Sequence, residues 1–143
     1  MIGTLGNHEG SGTCIRTQYA WPGNELTYVV DYGPDVSFFC LNSNTTISTQ
    51  TTWLQTALAA RTNVTWKFAF WHAPSWGAGG HGSRTDIAAA WDPLFAQYGV
   101  IMTFTGHSHY YERSKPMVNG VVVADPAKGT THVVTGGWGA PLY

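Results

Sequence analysis

Trp66-Lys-Phe-Ala-Phe-Trp71 runs directly into His72, and Val100-Ile-Met-Thr-Phe-Thr105 runs directly into Gly106-His107-Ser108-His109. Both are short, nearly continuous apolar runs, which read as strands buried on two faces. Between them lie a glycine-rich loop, Ala73 to Gly82, and a helical stretch from Thr85 to Tyr98. The body of that helix is expected to start at Pro93, because proline is welcome only in a first turn. Upstream, Glu25 to Asp31 and Val36 to Leu41 are β-branched and aromatic runs joined by Tyr32-Gly-Pro-Asp35, a β-hairpin pattern. Trp53, Leu54, Ala57 and Leu58 form the stripe of an amphipathic helix from Thr51 to Arg61. Val118 to Ala124 and Thr131 to Thr135 read as further strands. Strands alternate with helices in the middle and follow one another at the ends, which predicts an α/β layered domain with a mixed sheet and two main helices.

Composition narrows the function classes. With 143 residues, 1–143 is expected to be a single domain, since a core of this size buries about two-thirds of the unfolded surface. Only 10% of residues are charged, against about a quarter in an average soluble protein. The surface must then be built from Thr, Ser, Asn, Gly and Gln, a texture that suits a secreted or periplasmic protein. A net charge of -1 without any Lys/Arg cluster argues against nucleic acid and anionic membrane as partners. No apolar run reaches the length of a membrane span, and Met1-Ile-Gly3 lacks the basic start of a signal peptide. Cys14 and Cys40 are too few for a disulfide framework and can make one bridge at most.

Five of the six histidines lie in loops that follow a strand-like or glycine-rich segment: His8, His72, His81, His107 and His109. His132 sits within a strand. The carboxyl ends of strands in an α/β sheet border a common crevice, so His72, His107 and His109 can converge although distant in sequence. Imidazole is the commonest metal ligand near neutral pH because little has to be removed to free its lone pair.

Gly6-Asn7-His8-Glu9, His72 in F-W-H-A-P, and Gly106-His107-Ser108-His109 follow in order and spacing that resemble the calcineurin-like metallophosphoesterases. Tyr110-Tyr-Glu-Arg-Ser114 resembles the purple acid phosphatase version, and D-Y-G-P and C-L-N-S-N extend the likeness over nearly the whole chain. The resemblance implies a truncated form of the family's layered sandwich and hydrolysis of small phosphate esters by a metal-bound hydroxide. In it, Asn7, His72 and His107 ligate one ion, His109 belongs to a second, and His8 assists at the leaving group. His81 resembles the family's substrate-facing histidine, with a plain loop residue as the other reading. Imidazole and neutral oxygen donors suit zinc, iron or manganese better than calcium.

The resemblance also implies two earlier blocks carrying the bridging carboxylate, and only six residues precede Asn7. The chain is therefore expected to hold one ion, on Asn7, His72 and His107 with His109 as a further candidate ligand, to expose a sheet edge and an apolar face, and to self-associate into a homo-oligomer. The rival reading is a catalytically inactive metal-binding or structural remnant that folds by association. Asp31-Tyr-Gly33 imitates a ligand block but lies inside the hairpin. Trp71, Trp76 and Trp138 would suit a carbohydrate platform, although aromatic residues in so apolar a chain more often build the core. Glu112 and Arg113 read as a structural pair.

Overall fold

The computed structural model describes residues 2–143. A short helix α1 (Thr13–Gln18) precedes the hairpin of β1 (Tyr28–Tyr32) and β2 (Val36–Cys40). Then come α2 (Ile47–Ala59), β3 (Trp66–Phe70), α3 (Thr85–Tyr98) and β4 (Val100–Thr105). The chain closes with β5 (Tyr111–Arg113), β6 (Met117–Val118), β7 (Val121–Val122) and β8 (Thr131–Thr135). Six strands form one mixed sheet in the order β1-β2-β3-β4-β8-β5. The four central strands β2, β3, β4 and β8 are parallel, and the flanking β1 and β5 are antiparallel to their neighbours. The central carboxyl ends therefore share one edge of the sheet, where loops can converge.

Side chains alternate between the faces of each strand, and the two faces have different fates. Phe39, Ala69 and Trp71 point towards α2 and α3 and meet Leu54, Leu58, Trp91 and Phe95, all fully or almost fully buried. Trp71 packs edge-on to Trp91 at 5.3 Å between ring centroids and stacks on Phe95 at 5.7 Å. Pairs in these geometries add about 0.5–1.5 kcal/mol beyond their burial. On the other face, the segment running through α1 covers Tyr28, Cys40 and Phe70 with Leu5, Ile15 and Trp21. The rest of that face is open. Phe38, Phe68 and Phe104 stand in a row at 5.4 and 6.3 Å, and Phe104 is 37% exposed.

Several sequence expectations need correction. The second helix starts at Ile47 rather than Thr51, with Thr46 before it. The third helix runs unbroken through Pro93. Pro93 and Ala89, whose carbonyl loses its partner, are both on the exposed face, where water replaces the missing bond. The strand expected over 118–124 is a two-residue hairpin instead. Asn119 and Gly120 adopt φ 50° and 79°, the left-handed pair that a tight hairpin turn requires. Glu112 accepts a hydrogen bond from the Ala78 amide at 2.9 Å, and it is not paired with Arg113. Both cysteines are free thiols.

Candidate metal centre

Three loops meet at the carboxyl edge of the central strands. Trp71 follows β3 into the core, and its indole N–H donates to the Ala73 carbonyl at 2.6 Å, so the chain is clamped on both sides of His72. The His72 carbonyl accepts from the Gly106 amide at 2.9 Å, tying this loop to the one after β4. His107 follows with φ 62°, a left-handed conformation that is rare outside glycine and that clusters at functional sites. The third loop, Gly6 to Glu9, is held from two directions. Glu9 Oε2 accepts from the Gly6 amide at 2.5 Å, and the Asn44 side-chain amide donates to the Gly6 carbonyl at 2.5 Å. Gly6 leaves no room for a side chain: a Cβ there would lie 2.9 Å from the His72 ring. Gly136, after β8, is equally constrained, since its Cβ would meet the Ser108 carbonyl oxygen at 2.3 Å.

The result is a triangle of donor atoms. Asn7 Oδ1 lies 2.7 Å from His72 Nε2 and 3.1 Å from His107 Nδ1, and the two imidazole nitrogens are 3.1 Å apart. Hydrogen bonding cannot satisfy all three edges. If both nitrogens carry protons, the edge between the rings opposes two donors; if only one does, another edge opposes two lone pairs. A cation at the centre would remove the conflict, because all three atoms then offer lone pairs to it. Asn7, His72 and His107 are therefore the residues that would hold an ion here. Two imidazoles and an amide oxygen are a neutral donor set. Among the described residues no three His, Cys, Asp or Glu side chains converge on a point, so Asn7 is indispensable to this one.

Electrostatics keep the rings unprotonated. Burial, reinforced by the neighbouring His81, His72, His109 and His8, pushes His107 down to about 4. Burial also lowers His72, with Glu9 partly opposing it. Free imidazole lone pairs at neutral pH are what a metal needs.

The remaining candidates are placed differently. His81 lies at the site, its ring stacked on His107 at 4.0 Å between centroids. His109 is outside the triangle, with Nδ1 3.1 Å from the Pro141 carbonyl oxygen and its ring 5.2 Å from Tyr143. His8 is exposed, on the same loop as Asn7. His132 is a core residue on β8, its Nδ1 3.0 Å from Thr103 Oγ1, held down to about 4 by burial. Asp31 is bound bidentately by Arg61 at 2.8 Å for each contact, near the hairpin turn at the opposite end of the sheet, and is no ligand. Trp71 is core, whereas Trp138 is 97% exposed. The residues missed in sequence are Glu9 and Asn44, which shape the Asn7 loop. Their signal was present in G-N-H-E and in the polar run that follows β2.

The calcineurin-like phosphoesterase family model matches residues 1–111. The chain belongs to the calcineurin-like phosphoesterases. Within them it falls on the purple acid phosphatase branch. It is 27% identical over 129 residues to an acid phosphatase of Aspergillus ficuum, an overlap of 80% of this chain and 21% of the relative. Purple acid phosphatase 18 of Arabidopsis thaliana is 34% identical over 96 residues, 64% of this chain and 21% of the relative. The purple acid phosphatase PPD1 from yellow lupin (Lupinus luteus) seeds superposes with a TM-score of 0.73 at 25% identity, covering 96% of this chain and 28% of that one. This calcineurin-like phosphoesterase thus spans about a fifth of the length of its curated relatives.

Proposed function

We propose that this chain hydrolyses small phosphate esters around one metal ion held by Asn7, His72 and His107. The observation that carries the reading is the donor triangle, three atoms 2.7–3.1 Å apart that hydrogen bonds alone cannot reconcile. Zinc, iron or manganese suits two imidazoles and an amide oxygen. Such an ion supplies Lewis acidity to a phosphoryl oxygen and a nucleophile at neutral pH. The chain's own groups do the rest. His81, stacked on His107, faces the substrate and binds phosphoryl oxygens. His8, exposed beside the site, delivers a proton to the leaving oxygen. His109, with Nδ1 against the Pro141 carbonyl, would offer Nε2 to a second ion. The 10% charge content supports a secreted or periplasmic location, and residues 1–143 are read as one domain. Among the described residues no helix is long and apolar enough to cross a membrane.

The test is metal content by mass spectrometry after dialysis, together with hydrolysis of an aryl phosphate, for wild type and His72→Ala. About one ion per chain is expected, with affinity reduced about a hundredfold or more in the variant. A folded wild-type sample inert with zinc, iron and manganese sinks the catalytic reading.

The second reading is a non-catalytic, self-associating domain, and the open aromatic row of Phe38, Phe68 and Phe104 favours it. Arg113 is the one charged residue on the strands of that face, so with a net charge of -1 little repels a second copy. Light scattering at micromolar concentration is expected to give a dimer mass, which Phe68→Lys converts to a monomer. A monomeric wild type removes this reading.

A further inference from the structure

Beside the donor triangle, an open cavity of about 370 Å³ is bounded by Asn7, Gly10, Ser43, Asn44, Thr45 and Arg84. Asn7 belongs to both, so whatever is bound at the triangle through its phosphoryl group extends its other half into this space or away from it. The wall contains no aromatic or branched aliphatic side chain. Its members are fixed: Ser43 Oγ accepts from the Ala73 amide at 2.9 Å, and Asn44 is committed to the Gly6 carbonyl. Arg84 spends Nε and Nη2 on Asp86 at 2.8 and 2.7 Å, and Nη1 reaches the Ser43 carbonyl at 3.3 Å. The guanidinium charge is therefore neutralised within the wall while spare N–H groups remain. At Gly10 nothing lies within 4 Å of where a side chain would start, which leaves the mouth open. An apolar cavity of about 380 Å³ against Trp76, Ala88 and Pro93 is walled by different residues and does not share Asn7.

We infer that this cavity is the leaving-group subsite and selects the uncharged, hydroxylated alcohols of polyol and sugar monophosphates over aryl alcohols. The inference rests on the phosphoesterase reading above. Hydroxyl groups of such an alcohol would exchange hydrogen bonds with Thr45, Asn7 and the spare Arg84 N–H groups, whereas an aryl ring would strip water from those groups without replacing it. Displacing ordered water without reproducing its hydrogen bonds loses affinity, and that loss is the source of the discrimination. A second charge on the alcohol finds no unpaired partner, because Asp86 already holds Arg84.

The experiment is calorimetric titration of the zinc-loaded protein with glycerol 2-phosphate, phenyl phosphate and inorganic phosphate, for wild type, Thr45→Leu and Thr45→Val. Wild type is expected to bind glycerol 2-phosphate about fivefold or more tightly than phenyl phosphate. Thr45→Leu should reverse that order, and Thr45→Val, a near-isostere on an exposed position, should move it in the same direction. Wild type that prefers phenyl phosphate, or a preference indifferent to both substitutions, overturns the subsite while inorganic phosphate binding leaves the phosphoesterase reading standing. Failure of all three ligands to bind, inorganic phosphate included, overturns both.

Discussion

The two ends of the central parallel strands solve opposite problems. At the amino ends the charged groups on the strands have found partners: Asp31 takes both Arg61 contacts at 2.8 Å and the Ser37 hydroxyl at 2.6 Å, and Lys67 Nζ donates to the Val64 carbonyl at 2.5 Å. At the carboxyl ends polar groups are held close without being reconciled. The donor triangle has an edge no proton arrangement satisfies, Ser108 Oγ is buried without a partner, and so is Asp92 Oδ1 below the loop that follows His72. One end is built for stability, and the other stores unmet valence where a ligand can supply it.

That contrast breaks most severely at Trp71. The indole is 1% exposed, packs on Trp91 and Phe95, and clamps Ala73 beyond His72. Trp71→Ala is expected to cost about 3–5 kcal/mol in urea unfolding, the range for deleting a buried tryptophan. It should also loosen metal binding, because the same side chain positions His72. A destabilised variant with unaltered zinc affinity would separate the core from the site and refute the clamp.

Asp92 tests the unreconciled end through pH. It is 4% exposed, one oxygen accepts from the Trp76 indole, and burial pushes its carboxyl up to about 6. The folded state holds this proton more tightly than the unfolded chain does. Its contribution is complete below the unfolded value near 3.8 and is lost as pH rises through about 6. Asp92→Asn keeps an acceptor for Trp76 without the charge. The variant should therefore gain on wild type between pH 4 and 7.5 by on the order of 2–3 kcal/mol. Thermal melts across that window check it, and parallel curves for the two proteins would refute it.

How much of this was legible in the sequence depends on range. The strands carrying His72 and His107 could be read because a doubly buried strand is an unbroken apolar run, and the histidines stand at their ends. Asn7 was accessible only through the likeness of G-N-H-E to a family, since nothing local distinguishes its amide from the other asparagines. The Asn119-Gly120 turn was there to be read and was missed in favour of one long strand. Helix α3 was misjudged at Pro93 because local propensity is blind to which face meets water. The polar cavity was illegible: it is assembled from the Asn7 loop, the loop after β2 and the residue preceding α3, which only the tertiary fold brings together. Asp92 looked like any helical aspartate, and only burial against Trp76 makes it unusual.

The smallest effect belongs to the satisfied end. Arg61 holds the Asp31 carboxyl well below the usual range, at about 2, with Ser37 helping. Here the sign is the reverse of Asp92: the contribution is present above the unfolded value of about 3.8 and disappears as pH falls through about 2. The pair is screened by solvent, with Asp31 46% exposed, so the expected loss in Asp31→Asn is about 1 kcal/mol or less despite the bidentate geometry. Melts from pH 6 to 2 should show the wild-type advantage shrinking in acid, and 0.5 M salt should reduce it at neutral pH, on the order expected for a Debye length of about 4 Å. Opposite pH slopes for two aspartates of one small domain would locate the satisfied and the unreconciled ends independently of any ligand; slopes of the same sign would mean that the two ends differ only in which loops they carry.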